Sequence, residues 1–184
     1  KREADKKAQQ EKKKNKAKAK PQASGKGAKP VYESPVLKSG KKERVVDFKA
    51  DLKGSSDLYL VVSDQGNQSH DWSNWIDPVV TFEDGSTTPL TKLDWQDAKS
   101  IGQTRKGKRY DGGPLTVSGK EFSGIGTHAP SEIRFKLPKA AKSISGKVAL
   151  DDGGAIRGGK STPAEVKFLI FTATPPANAS MAAA

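Results

Sequence analysis

The chain contains no cysteine, which excludes a disulfide framework, a thiolate zinc site, a c-type haem attachment and a cysteine nucleophile. Histidine is nearly as scarce. Two occur in 184 residues, with no HExxH pair, so zinc hydrolase chemistry has no support. There is no GxSxG nucleophile elbow. No apolar run approaches the roughly 18 residues that a membrane-spanning helix needs. Aspartates and glutamates are plentiful, but no pair is singled out for glycoside hydrolysis. The sequence does not point to an enzyme.

Charge is abundant and unevenly placed. The net charge is +12, which by itself suggests a nucleic-acid or anionic-surface partner. Residues 1–30 hold twelve Lys/Arg against three acids, whereas the rest holds 21 against 18. The excess therefore belongs to a Lys/Ala-rich tail. Residues 1–19 are good helix formers without an apolar stripe, and from Pro21 the composition turns to linker chemistry. We assign 1–40 to a tail or interdomain linker, 41–175 to a folded domain and 176–184 to a C-terminal tail. A basic arm gripping phosphate or an anionic polymer is the alternative for the tail, and nucleic acid is the weaker partner for the chain as a whole. The start at Lys1, without a Met or a signal peptide, reads as a fragment or a processed product.

Beyond the tail, short strands alternate with turns. Val45–Phe48, Leu58–Ser63, Pro78–Phe82, Leu115–Val117 and Lys120–Phe122 are candidates. The last two are joined by Ser118-Gly119, a tight hairpin connection. Ile133, Phe135 and Leu137 alternate with charged residues, as do Val166, Phe168 and Ile170 with their neighbours, and Ile144 to Leu150 repeats the period. Leu58–Ser63 is apolar on both faces, as expected of a strand covered on both sides. The pattern predicts an all-β fold, an antiparallel β-sandwich of jelly-roll type behind a Lys-rich N-terminal tail.

Polar clusters lie between these strands, where sandwich folds keep their binding sites. Ser63–Pro78 (SDQGNQSHDWSNWIDP) admits two readings. Asp64, Asn67 and Asp71 could supply oxygens to a structural calcium, or they are turn residues bonding nearby amides. Trp72 and Trp75 either cap the core or offer an indole platform to a sugar, with Asp71 or His70 taking hydroxyl bonds. Arg105–Pro114 (RKGKRYDGGP) is basic with one aromatic, a weak phosphate or base-stacking signal. In Val148–Gly159 (VALDDGGAIRGG), Asp151 at a strand end is a ligand contact or a turn-stabiliser, and Asp152 reads as the latter.

The most particular segment is Gly124–Ile133, GIGTHAPSEI, a small-residue run that delivers His128 on a short loop before a strand. This segment, with VALDDGG, LDWQDAKS, GGPLTVSGKEF and LYLVVSDQG…HDWSNWIDP, resembles the NPCBM family across roughly residues 45–172. The resemblance implies a galactose-binding-like jelly roll that binds carbohydrate, galactose-like glycan included, without catalysis. It implies attachment to appended domains of a larger bacterial protein, extracellular or periplasmic. It makes His128 a sugar-hydroxyl contact, with Asp151, Trp72 and Trp75 secondary, and no cofactor beyond the calcium already considered; the other reading of His128 is a ring hydrogen bond that ties the loop to the next strand. The alternatives are a structural or protein-interaction sandwich that has lost the sugar site, or a polyanion binder acting through its tail. One departure stands out. In the family order LYLVVSDQG…DWSNW follows the DDGG strand, whereas here it comes first, as in a circular permutation.

Overall fold

The computed structural model describes residues 27–181. The good helix formers of 1–19 lie outside the described residues, as does the rest of 1–26. Strand follows strand through the domain: β1 (Tyr32–Glu33), β2 (Leu37–Lys38), β3 (Val45–Ser63), β4 (Trp72–Phe82), β5 (Thr87–Pro89), β6 (Asp97–Ser100) and β7 (Arg105–Lys106). After them come β8 (Leu115–Val117), β9 (Lys120–Phe122), β10 (Gly124–His128) and β11 (Ser131–Leu150). A one-turn helix α1 (Asp152–Ala155) and a hairpin of β12 (Ile156–Arg157) and β13 (Lys160–Ser161) precede β14 (Glu165–Phe171). All pairings are antiparallel, and the architecture is an all-β sandwich.

Two long strands build both layers. In one layer the first part of β11 lies between β6 and the second part of β3, which pairs onward with β14 and β1. In the other, the first part of β3 pairs with the second part of β11, then β4, β10 and β7 follow. The register slips between Lys136 and Ala141 and again before Ser143, and the extra residues bend the pair from one layer to the next. Lys53 and Gly54 take up the bend on β3 with φ of 51° and 78°. Val45–Phe48 and Leu58–Ser63 are thus two ends of one bent strand.

The core sits between the layers. Trp75 on β4 meets Phe168 on β14 edge-on at 5.0 Å, and Phe48 on β3 at 5.7 Å. Alternation put Ile133, Phe135, Ile144, Val148, Val166 and Phe168 here, and all are sealed from solvent. The outer face of Leu58–Ser63 is covered too. Tyr59, Val61 and Phe171 form a second apolar cluster against Ala28 and Ala179, from the two terminal segments.

The expected domain limits need correction at both ends. Residues 31–38, assigned to the tail, pair with β14 through Tyr32↔Ile170 and Leu37↔Val166. Beyond 175 the chain still folds back, with the Ser180 carbonyl accepting from the Asp64 amide. The sandwich therefore includes residues on either side of 41–175.

Candidate functional site

The ends of β3, β4, β10 and β11 and the start of β14 meet at one rim of the sandwich. Asp151 organises it from inside. It is wholly buried, and its Oδ1 accepts from the Gly153 amide at 2.8 Å, capping α1. Its Oδ2 accepts from Asn74 Nδ2 at 2.8 Å and from the Thr116 amide at 3.0 Å. Asp152 holds the same β8–β9 hairpin from the next position, accepting from the Ser118 and Gly119 amides at 2.8 Å each. Arg44 pairs with it. Ser118 and Gly119 turn the hairpin with positive φ at both residues, as a two-residue connection of this hand requires.

The glycines after the aspartates make room for an aromatic stack. A Cβ on Gly153 would collide with the Trp72 ring, and one on Gly154 with the His70 carbonyl and Trp72 Cβ. Trp72 in turn supports Tyr110, ring centres 5.1 Å apart, and Tyr110 meets the His128 imidazole at 4.9 Å and 67°. The Arg157 and Arg109 guanidiniums lie over the Trp72 ring at 4.7 and 5.3 Å. Arg109 also forks onto Asp111, with 2.7 and 3.2 Å bonds, and lies 3.6 Å from Asp151. Burial pushes the Asp151 carboxyl above the usual range, against the pull of Asn74 and the backbone amides.

His128 ends β10 rather than standing on a loop, and it is 6% exposed. Its Nδ1 donates to the Ala129 carbonyl at 2.6 Å, which leaves Nε2 as the acceptor of a neutral ring. Burial is the main cause holding its pKa below the ordinary value. The imidazole thus ties its strand to the next turn and still keeps an acceptor.

The other expected site residues divide. Trp72, at 7% exposure, lies beneath the guanidiniums, and half-buried Tyr110 is the ring presented above it. Trp75 takes the core reading. It has no exposed surface, so it cannot be a sugar platform. Asp71 is wholly buried. Its Oδ1 accepts from the Glu165 amide at 3.0 Å and its carbonyl accepts from the Ala129 amide, which ties three elements together. Asp71 Oδ2 has no partner among the described residues.

The residues considered for calcium make the bonds of turn residues. Asp64 Oδ1 accepts from the Gly66 amide and Asn67 Oδ1 from the Ser69 amide, as side chains that stabilise turns do. Among the described residues no group of three or more His, Cys, Asp or Glu is arranged to hold a metal.

Sequence reasoning undervalued one residue and missed one motif. Tyr110 belonged to a loop read as a weak basic signal, and only the fold brings that loop against Trp72 and His128. Gly154–Ser161 (GAIRGGKS) also has the GxxxxGKS spacing of a phosphate-cradling loop. Such a loop needs a helix beginning at its Lys-Ser. Here Ile156–Arg157 and Lys160–Ser161 pair as a hairpin, and a strand follows.

Gly126 lets the Tyr110 arm approach. A Cβ there would strike Arg109 Cα and the Lys108 carbonyl, both backbone. Gly126→Ala is expected to destabilise by about 1–3 kcal/mol and to push Tyr110 off His128. Thermal melts and the tyrosine side-chain NMR signals would register both.

One rim of the β-sandwich thus gathers a half-buried aromatic on a loop, a neutral imidazole at a strand end and one forked ion pair. Residues 5–81 and 86–176 match the NPCBM/NEW2 domain family, and the chain belongs to that family of carbohydrate-binding modules. The gap between the two matched segments falls on the turn after β4. The two ends of the described residues meet elsewhere: Val31 donates to the Ile170 carbonyl at 2.7 Å, and a methyl on Gly27 would collide with the Pro176 ring. Comparisons with curated proteins and with solved structures gave no match. No described helix is long and apolar enough to cross a membrane.

Proposed function

We propose that this chain is a non-catalytic carbohydrate-binding module that docks a larger bacterial protein on glycans outside the cytoplasm. The sugar sits on Tyr110 at the rim, its hydroxyls bonding His128 Nε2 and the edge of Arg157. The stack of Trp72, Tyr110 and His128 carries this reading. It supplies an amphipathic ring fixed from behind by a second ring, and a neutral acceptor beside it. Asp151 and Asp71 serve as scaffold, because their bonds run to the chain's own amides. Affinity should be modest, since each neutral hydrogen bond nets only about 0.5–1.5 kcal/mol.

A glycan array on the full chain tests the reading. We expect retention of at least one glycan class and a loss of about tenfold in Tyr110→Ala, equal to one or two such contacts. Retention that Tyr110→Ala leaves untouched would move the site elsewhere. Failure to retain any glycan would favour the alternative, an interaction module without a sugar site, which the burial of Trp72 and His128 also suits.

A further inference from the structure

We infer that the rim selects glycans bearing an anionic substituent, a carboxylate or a sulfate, and that Arg157 is the residue that selects them. The inference rests on the carbohydrate reading above and names its ligand class. The observations concern which charges at the rim are already matched. Lys106 pairs with Asp94 at 3.0 Å, Arg109 with Asp111, and Arg44 with Asp152. Arg105 Nε donates to the Tyr110 carbonyl at 3.2 Å. The acids nearest the stack are thus committed: Asp152 to Arg44, Asp151 to the interior, and Asp111 to the Arg109 fork, with Arg157 acting on it only at longer range.

Arg157 and Lys160 face each other across the β12–β13 hairpin. Both are exposed, as is Lys108 on the Tyr110 arm. None of the three has a carboxylate within ion-pair distance among the described residues. Arg157 is also preorganised. Its guanidinium is seated over the Trp72 ring at 4.7 Å, which leaves the planar edge free to take two oxygens of a carboxylate or sulfate side by side.

A nucleic acid would meet the same cations, but the described surface offers it no array of stacking rings. The large exposed apolar side chains are Val36, Ile156 and Met181, none of them aromatic, and of the half-buried rings other than Tyr110, Trp95 is covered by Lys106 and packed edge-on against Phe135. Sequence-tolerant single-strand binding uses several such rings in succession.

Calorimetric titration of the full chain decides the matter with four probes. These are a galacturonic acid trisaccharide, its fully methyl-esterified form, a sulfated galactose trisaccharide and an oligothymidylate. The ester removes the charge and keeps the shape. We expect the acid to bind about tenfold or more tighter than the ester, the gain of one charge-assisted fork. Arg157→Gln should bring the acid down to the ester, and Arg157→Lys should retain part of the difference. The ranking of the acid against the sulfated sugar then identifies the anionic group. Because the basic tail is unchanged in both variants, an acid preference that survives Arg157→Gln belongs to the tail and overturns the inference. Equal binding of acid and ester overturns it while leaving the carbohydrate reading intact. If no sugar binds, both fall together, and tighter Arg157-dependent binding of the oligonucleotide would assign the rim to nucleic acid instead.

Discussion

Replacing Asp151 with alanine is expected to cost about 3–5 kcal/mol of stability and to abolish ligand binding at the same time. The substitution strands three donors, Asn74 Nδ2 and the amides of Thr116 and Gly153, and each buried donor left unmatched costs about 1–3 kcal/mol. The gross loss is larger than the net, because the buried carboxylate already bears a desolvation cost. That cost is visible in its raised pKa. Asp151→Asn should fare little better, since whichever way its amide turns, the nitrogen faces the Thr116 or the Gly153 backbone amide, donor against donor. Denaturant melts measure the stability, and amide exchange over residues 115–122 reports whether the β8–β9 hairpin is released. A residue that merely touched ligand would lose binding and keep its melting curve. Asp151→Ala within about 1 kcal/mol of the parent would mean that the carboxylate is a contact after all.

What the sequence disclosed and what it hid follow one physical rule. Ile133, Phe135, Val166 and Phe168 could be read because a strand with one buried face writes its period directly. Trp72–Asp77 has a loop's composition although it is strand, because Ser73 and Asn74 are polar and yet buried. Their burial is made tolerable by bonds to the Asp71 carbonyl and to Asp151, 77 positions away from Asn74, and no local window contains that partner. Residues 31–38 were hidden likewise. VYESPVLK has linker-like proline and serine, and its strand partner lies more than a hundred residues later.

The site shows the same division. His128 and Asp151 stood out as unusual residues, but unusual residues in a small-residue setting served the scaffold first. Gly153, Gly154 and Gly126 are where a ring or a backbone approaches, so the glycine-rich signatures encode close packing around the stack. The element most available to a ligand is Tyr110 with the cations around it. It sits in a loop whose sequence gave only a weak signal, and its significance comes from its neighbours in space.

Asp71→Asn is expected to stabilise the protein at neutral to mildly alkaline pH, which is unusual for the loss of a buried, bonded side chain. Burial pushes the Asp71 carboxyl up to about 8, with the Glu165 amide opposing and Asp64 and Glu165 adding to the rise. Below about pH 4 the group is protonated in both folded and unfolded chains and contributes no slope. Between about pH 4 and 8 the unfolded chain has lost the proton that the folded chain retains. Stability therefore falls as pH rises through this window and levels off above it. Asparagine does not titrate. The variant should gain on the order of a few kcal/mol at pH 8 and little at pH 4, as read from urea melts across that range. A residual slope will persist, because burial raises Asp151 and Glu132 as well. The same experiment bears on calcium, since a carboxyl that stays protonated at neutral pH has little attraction for a cation. If Asp71→Asn is instead destabilised at pH 8, and added calcium raises the melting temperature of the parent alone, the carboxyl is ionised and Oδ2, unpartnered here, has found a metal.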